Sequence, residues 1–107
     1  MIPEVRVRPY RTFGQRLRGL LGRPPPPAGT GVWIVPCGQV HTLGMRYAID
    51  VVHLDEDGVV LTVERLAPWR AGAWVFGTAS VVELAAGEAE RLGLTAGCRP
   101  RLILDDA

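Results

Sequence analysis

The chain has 107 residues, of which 48% are hydrophobic and 21% are charged; this composition excludes a disordered chain and predicts a single folded domain over residues 1–107. The net charge is only +1, but the first 23 residues carry six arginines against Glu4 alone. We interpret this basic end as a solvated surface whose arginines meet acids elsewhere in the fold. Nucleic acid or anionic lipid binding through it is the alternative.

The chain shows no targeting or metal-binding pattern. No run reaches the about 18 apolar residues of a transmembrane segment, and the N-terminus lacks the apolar region of a signal peptide. Cys37 and Cys98 lie far apart in the sequence, so neither a disulfide framework nor a zinc site is predicted. A reduced cytoplasmic protein without cofactor or metal is the simplest interpretation.

A basic lead-in at 1–11 precedes the first predicted helix. The T-x-x-Q motif at 12–15 has the spacing of a capping box and predicts that a helix begins there. Three leucines recur at offsets of three and four and predict an apolar stripe that points inward: Leu17, Leu20 and Leu21. Gly22 is expected to end this helix, and the four prolines at 24–27 predict an extended loop.

Short β-branched and aromatic runs predict strands along the rest of the chain. One run lies at 31–36, and two more, at 47–55 and 59–66, flank an Asp57-Gly58 turn that predicts a β-hairpin. Further strands are predicted at 80–84 and 101–104, with a short helix at 86–92 between them. The 68–77 segment is predicted to be a loop anchored by Trp69 and Trp74.

The close spacing of these strands leaves too little chain for crossover helices. We therefore predict a mainly β fold, α+β by content. Its strands are expected to form an antiparallel sandwich or an open barrel. An N-terminal helix and one short helix before the last strand complete the predicted architecture.

The 37–50 segment holds the densest group of reactive side chains. His41, Arg46 and Asp50 could bind an anionic or polyhydroxy ligand through charge-assisted hydrogen bonds. The alternative is a loop closed by its own bonds, with Arg46 paired to Asp50. By period-two counting Asp50 shares a strand face with Val52 and Leu54, so we expect it to be buried and paired.

Glu83, Cys37 and His53 are the other side chains that could carry chemistry. Glu83 interrupts an apolar strand, and it either pairs with Arg46 or Arg70 across the sheet or lines a pocket. Cys37 and His41 are four residues apart, but a nucleophile needs an oxyanion site and a metal needs further ligands. We therefore predict no catalytic residue and no metal site. His53, on the strand face opposite Asp50, is expected to be a packed core histidine.

Taken together, the motifs resemble a family called domain of unknown function 192. They are Gly19-Leu20-Leu21-Gly22-Arg23, the run from Val40 to Arg46 into Ile49-Asp50-Val51-Val52, the Asp57-Gly58 turn, Pro68, and Val82-Glu83-Leu84-Ala85-Ala86-Gly87. The similarity covers residues 12–104, the family-like core. The resemblance implies a β-rich, jelly-roll-like fold with a small helix and no established activity.

Two functions follow from this sequence. The first is a non-enzymatic binding or accessory domain with a polar site at the 37–50 loop, which takes a small polar or anionic ligand or a protein partner. The candidate ligand-binding residues are His41, Thr42, Met45, Arg46, Asp50 and Glu83. The alternative is a small hydrolase or thiol enzyme that uses His41 with Asp50, Glu83 or Cys37.

Overall fold

The computed structural model describes residues 2–105. The elements are β1 (Glu4–Tyr10), α1 (Phe13–Arg18), β2 (Thr30–Ile34), β3 (Ile49–Leu54), β4 (Val60–Leu66), β5 (Ser80–Ala85), α2 (Glu88–Leu92) and β6 (Arg101–Leu104). The predicted mainly β content and the five predicted strands are confirmed. The predicted N-terminal helix is not the first element, because strand β1 precedes it. Within residues 2–105, no helix is long and apolar enough to cross a membrane.

The six strands form one mixed sheet in the order β4-β3-β5-β2-β1-β6. The predicted β3–β4 hairpin is confirmed, and β5 pairs antiparallel with both β3 and β2. However, β1 runs parallel to both β2 and β6, so the all-antiparallel prediction is wrong. A parallel pair needs a long crossover, which residues 11–29 supply between β1 and β2. The sheet is not a closed barrel, and the sandwich and jelly-roll details are not confirmed.

Apolar side chains alternate along the strands and form a core on each side of the sheet. The first core contains Val51 of β3, together with Leu20 and Val40 from loops; we call this side the loop face. The second contains Val52 of β3 and Ala89 of α2, and we call this side the helix face. Because both sides of β3 are covered, all six of its residues are buried.

Helix α1 begins as predicted but ends early. Both hydrogen bonds of the capping box form between Thr12 and Gln15. The helix ends at Arg18 rather than near Gly22, because Gly19 takes a positive φ of 52° that breaks the helical path. Of the predicted stripe, Leu20 is buried and Leu21 is partly buried, but Leu17 is 61% exposed. The expectation that Leu17 points inward is therefore wrong.

The 68–77 segment contains no helix or extended strand, as predicted. Its two tryptophans are not buried anchors, since Trp69 and Trp74 are 64% and 72% exposed. The Trp74 ring lies beside Gly38, where an added Cβ would be 3.0 Å from a ring carbon. The segment therefore packs against the start of the 37–50 loop through the Trp74 ring.

Candidate functional site

Asp50 lies on the helix face, 2% exposed, and has partners other than the predicted one. Arg65 Nε donates to Oδ1 at 3.0 Å, and the backbone N–H groups of Gly87 and Ala89 donate to Oδ2 at 2.9 and 3.1 Å. The predicted Arg46–Asp50 pair is wrong, because Arg46 belongs to the loop that packs on the opposite side. Asp50 instead satisfies N–H groups at the start of α2, where no side chain of the helix does so.

The loop face carries a backbone scaffold that holds the 38–42 loop in place. Gln39 Nε2 donates to the Gly72 carbonyl at 2.6 Å, and the Gly72 N–H donates to the Val40 carbonyl at 2.8 Å. The Glu64 carboxylate in turn accepts the Ala73 N–H at 2.9 Å. Strand β4 therefore fixes the 71–73 segment, which fixes the loop that carries two of the candidate residues.

Thr42 is fully buried inside this scaffold, at 0% exposure. Its hydroxyl donates to the Ala67 carbonyl at 2.6 Å and accepts the Arg70 N–H at 2.9 Å. Its carbonyl accepts the N–H groups of Met45 and Trp69 at 3.0 and 2.9 Å. The polar atoms of Thr42 are thus engaged within the chain, and their contribution is to set the shape of the loop.

A cavity of about 100 Å³ lies on the loop face between α1 and the 38–42 loop. We call it the Glu83 cavity, and its lining includes Arg16, Gly19, Ile34, Gln39, His41 and Glu83. Ile34 and Glu83 are buried, whereas His41 is exposed. Two candidate residues from distant parts of the sequence, His41 and Glu83, therefore meet in one cavity.

Glu83 is 3% exposed, and its Oε1 has no hydrogen-bond partner among the described residues. Burial raises its pKa from 4.5 to about 7, against a smaller lowering by a hydrogen bond from the Leu20 backbone. A Cβ on Gly19 would lie 2.8 Å from Oε1, so glycine lets the chain pass directly over the carboxyl group. The predicted pairing with Arg46 or Arg70 is wrong, and the alternative, that Glu83 lines a pocket, is confirmed.

Arg16 also lines the cavity and carries a second unpartnered atom. Its side chain is partly buried, and Nη1 donates to the Pro36 carbonyl at 3.3 Å. Its Nε is buried without a partner within residues 2–105, as is Glu83 Oε1, so the two atoms do not bond each other. The cavity is thus lined by an acidic and a basic side chain that do not bond each other. Sequence reasoning placed Arg16 among the solvated arginines of the basic end and did not connect it with Glu83.

The other reactive groups near the cavity are poorly suited to nucleophilic chemistry. Burial is the main cause that raises the Cys37 pKa; a backbone hydrogen bond with Gln39 lowers it, the charge of Glu83 raises it and the charge of Arg16 lowers it. A raised pKa leaves less thiolate. His41 Nδ1 accepts the Leu43 N–H at 3.2 Å. In the described part of the chain, no three His, Cys, Asp or Glu side chains cluster as metal ligands.

Met45 and Arg46 border a separate cavity of about 530 Å³ beside the proline-rich loop. Leu20 and Tyr47 also line this cavity. Leu20 lines a further cavity between β1 and the prolines at 24–27 as well. The candidate residues therefore do not form one site. His41 and Glu83 line one cavity, and Met45 and Arg46 line another. Thr42 is buried, and Asp50 lies on the opposite side of the sheet. The structure brings together His41 and Glu83 and adds Arg16, Gly19 and Gln39, which no signal in the sequence grouped with them.

Arginines of the basic end contact rings and carbonyl groups. Arg11 lies over the Trp33 ring and Arg23 over the Tyr10 ring, at 5.8 and 5.7 Å from the ring centroids. Arg16 donates to a carbonyl, as described above. For these three arginines the expectation of acidic partners is wrong.

Comparison with known proteins identifies one family. The model of the DUF192 family, described as Uncharacterized ACR, matches residues 2–102. No curated protein matches significantly. A crystal structure of a protein of unknown function from Novosphingobium aromaticivorans DSM 12444 has a TM-score of 0.78 at 20% identity, with 87% of this chain and 71% of that chain covered. At this identity the likeness shows the fold alone.

A second solved structure comes from Sinorhizobium meliloti 1021 and is described as a proposed transcription regulator. Its TM-score is 0.72 at 25% identity, with 87% of this chain and 78% of that chain covered.

Proposed function

The chain belongs to the DUF192 family, as its motifs predicted, and from this premise we propose that it is a non-enzymatic binding domain whose ligand site is the Glu83 cavity. The family carries no established activity, so the proposal depends on the cavity itself. One observation carries it: the buried Glu83 side chain lines the cavity, and its Oε1 lacks a partner within residues 2–105. Since buried polar atoms in native proteins are nearly always paired, a small polar ligand is the natural partner.

The scaffold around the cavity supports the same proposal. Gln39 and Val40 are bonded to the 71–73 segment, so one wall is fixed before a ligand arrives. A preformed wall lowers the cost of ordering on binding. The proposal keeps His41 and Glu83 as ligand-binding residues, gives Asp50 and Thr42 positioning roles, and leaves Met45 and Arg46 as predicted contacts in the neighbouring cavity.

A thermal-shift screen of small amines, carboxylates, amino acids and polyols tests this proposal. We expect at least one compound to stabilise the wild-type protein and to lose that effect in Glu83→Gln. Glu90→Gln, an exposed carboxylate on α2, is the matched control and should behave as wild type. Stabilisation that is equal in all three proteins would place the ligand elsewhere and contradict the proposal.

An acid–base enzyme is the second candidate, and one observation favours it. Glu83 has a pKa of about 7 and shares a cavity with His41, and general acids and bases work best when their pKa lies near the ambient pH. Ester, phosphate and glycoside substrates should then turn over, and both Glu83→Gln and His41→Ala should abolish turnover. Turnover that survives both changes would exclude this mechanism. Asp50 has no part in it, because it lies on the helix face.

We also propose that the chain acts as a single domain in the cytoplasm. Strands from near both ends, β1 and β6, pair with each other, and both cysteines are free, as expected in a reducing compartment. Limited proteolysis that released a stable folded fragment would contradict the single domain. Cell fractionation that found the protein outside the cytoplasm would contradict the location.

A further inference from the structure

The Glu83 cavity is lined by two side chains of opposite charge, Glu83 and Arg16, that form no ion pair with each other within residues 2–105. The Glu83 carboxylate can only accept hydrogen bonds when it is ionised, and the Arg16 guanidinium can only donate them. A molecule that satisfies both must carry a donor at one end and an acceptor at the other. A plain anion would leave Glu83 unpaired and be repelled by it, and a plain cation would do the same at Arg16.

The size of the cavity limits how much of a molecule can enter. Its volume is about 100 Å³. At roughly 30 Å³ for each water, this is the space of about three water molecules, or about five non-hydrogen atoms. An ammonium nitrogen, one carbon and a carboxylate group together make five such atoms. The buried part of the ligand is therefore no larger than the head of an amino acid.

Charge around the cavity favours a dipolar group over a singly charged one. The charged or titratable groups that face Glu83 are Arg16 and Arg18 of α1, His41, Cys37 and Tyr47. The strand neighbours of Glu83 on the same face, Val32 and Val51, are apolar. A negatively charged Glu83 on the sheet, beside the arginine side chains of α1, suits a dipolar ligand. Its positive end points toward Glu83, and its negative end points toward α1.

From these contacts we propose that the Glu83 cavity binds an α-ammonium group together with the carbonyl or carboxylate oxygen beside it. The ammonium donates to the Glu83 carboxylate, and the oxygen accepts from the Arg16 guanidinium. This chemistry is shared by a free amino acid and by the N-terminus of a peptide. The side chain or the rest of the peptide leaves past Leu17 and His41, which are exposed at the lining of the cavity. The inference rests on the proposed binding function and specifies its ligand.

NMR titration of the 15N-labelled chain tests the inference with four probes: glycine, triglycine, N-acetylglycine and methylammonium. Each is added to about 20 mM, since ligands of about five atoms bind in the micromolar to millimolar range. We expect glycine or triglycine to shift the amides of Gly19, Leu20, Gln39 and His41. N-acetylglycine lacks the ammonium and methylammonium lacks the oxygen, so neither should shift them at the same concentration. Tighter binding of glycine identifies free amino acids as the source, and tighter binding of triglycine identifies a peptide N-terminus.

Variants separate the two ends of the ligand. Glu83→Gln and Arg16→Gln should each weaken binding by at least about tenfold. The exposed controls Glu90→Gln and Arg99→Gln should change it by less than about twofold. Because Glu83 must be ionised to receive an ammonium, wild-type affinity should rise about tenfold from about pH 6 to about pH 8. Arg16→Gln should keep this pH dependence, because it retains Glu83. Since Arg16 is only partly buried, this variant should fold, and it tests the inference even if Glu83→Gln does not fold.

Binding of glycine as tight in both Glu83→Gln and Arg16→Gln as in the wild type would overturn the inference, as would shifts with N-acetylglycine or methylammonium equal to those with glycine. No shift with glycine or triglycine would overturn it too. A thermal-shift ligand that depends on Glu83 but lacks an ammonium would overturn the inference and leave the proposed binding function standing. The two failures are thus distinguishable.

Discussion

Two buried carboxylates on neighbouring strands, Asp50 of β3 and Glu83 of β5, lie on opposite faces of the same sheet. They are almost equally buried, at 2% and 3% exposure. Asp50 accepts three hydrogen bonds from Arg65 and the start of α2. Glu83 has one oxygen without a partner in the described chain and a pKa of about 7. Burial alone therefore does not decide the role of an acidic residue.

The hydrogen-bond partners decide the role of each carboxylate, and these partners come from different kinds of structure. On the helix face, backbone N–H groups at the start of α2 point at Asp50 and use both of its oxygens. On the loop face, a glycine turn passes over Glu83, and Oε1 has no hydrogen-bond partner among the described residues. The helix face thus stabilises the charge of Asp50, whereas the loop face leaves the Glu83 carboxyl group beside a cavity. Three measurements test this difference between the two carboxylates.

The largest effect is expected at Asp50. Asp50→Ala should lower the free energy of unfolding by about 4 kcal/mol, since it leaves two N–H groups unsatisfied at about 1–3 kcal/mol each and removes the bond from Arg65. Urea unfolding with an unchanged slope measures this loss. Glu90→Ala on α2 is the control and should change stability by less than about 0.5 kcal/mol. A loss below about 1 kcal/mol would mean that Asp50 is not a structural cap.

The second effect is a pH dependence that comes from Glu83. Its pKa is about 7 in the folded protein and near the ordinary 4.5 when unfolded, so the stability it contributes is complete below pH 4.5 and is lost as the pH rises through 7. Wild type should therefore lose about 3 kcal/mol relative to Glu83→Gln over this range. Unfolding of both proteins across the range measures the difference. A constant difference would show that Glu83 keeps an ordinary pKa.

The smallest effect is expected at the Cys37 thiol. The charge of Glu83 is one of the causes that raise its pKa, after burial. Glu83→Gln should lower that pKa and speed alkylation of Cys37 by about twofold at about pH 8, since the thiolate is the reactive form. Mass spectrometry of iodoacetamide-treated protein gives the rate, with Cys98 in the same sample as the internal control. An equal change at both cysteines would point to a general loosening of the fold.

Local signals in the sequence predicted the local structure well. The capping box at Thr12, the hairpin around Gly58 and the strand face of Asp50 each depend on residues close in sequence, and each is confirmed. Strand β1 was missed because its arginines suggested a solvated lead-in. Only pairing with β2 and β6, which are distant in the chain, makes it a strand.

The candidate site was predicted only in part for the same reason. His41 and Glu83 were both named, and the structure brings them to one cavity. Arg16 and Gly19 were not, because their approach to Glu83 depends on where the chain turns after α1 and how that turn packs on β5. Asp50 was grouped with His41 by sequence distance, although the alternation of a strand sends it to the other side of the sheet.

Strand β1 also constrains how the sheet is assembled. Its neighbour β6 lies far along the chain, with Glu4 opposite Arg101. The β6 side of β1 therefore stays unpaired until this distant segment has folded back, and the sheet is complete only then. Contacts of such long sequence separation slow folding, so we expect this edge to be the last part of the sheet to form during refolding.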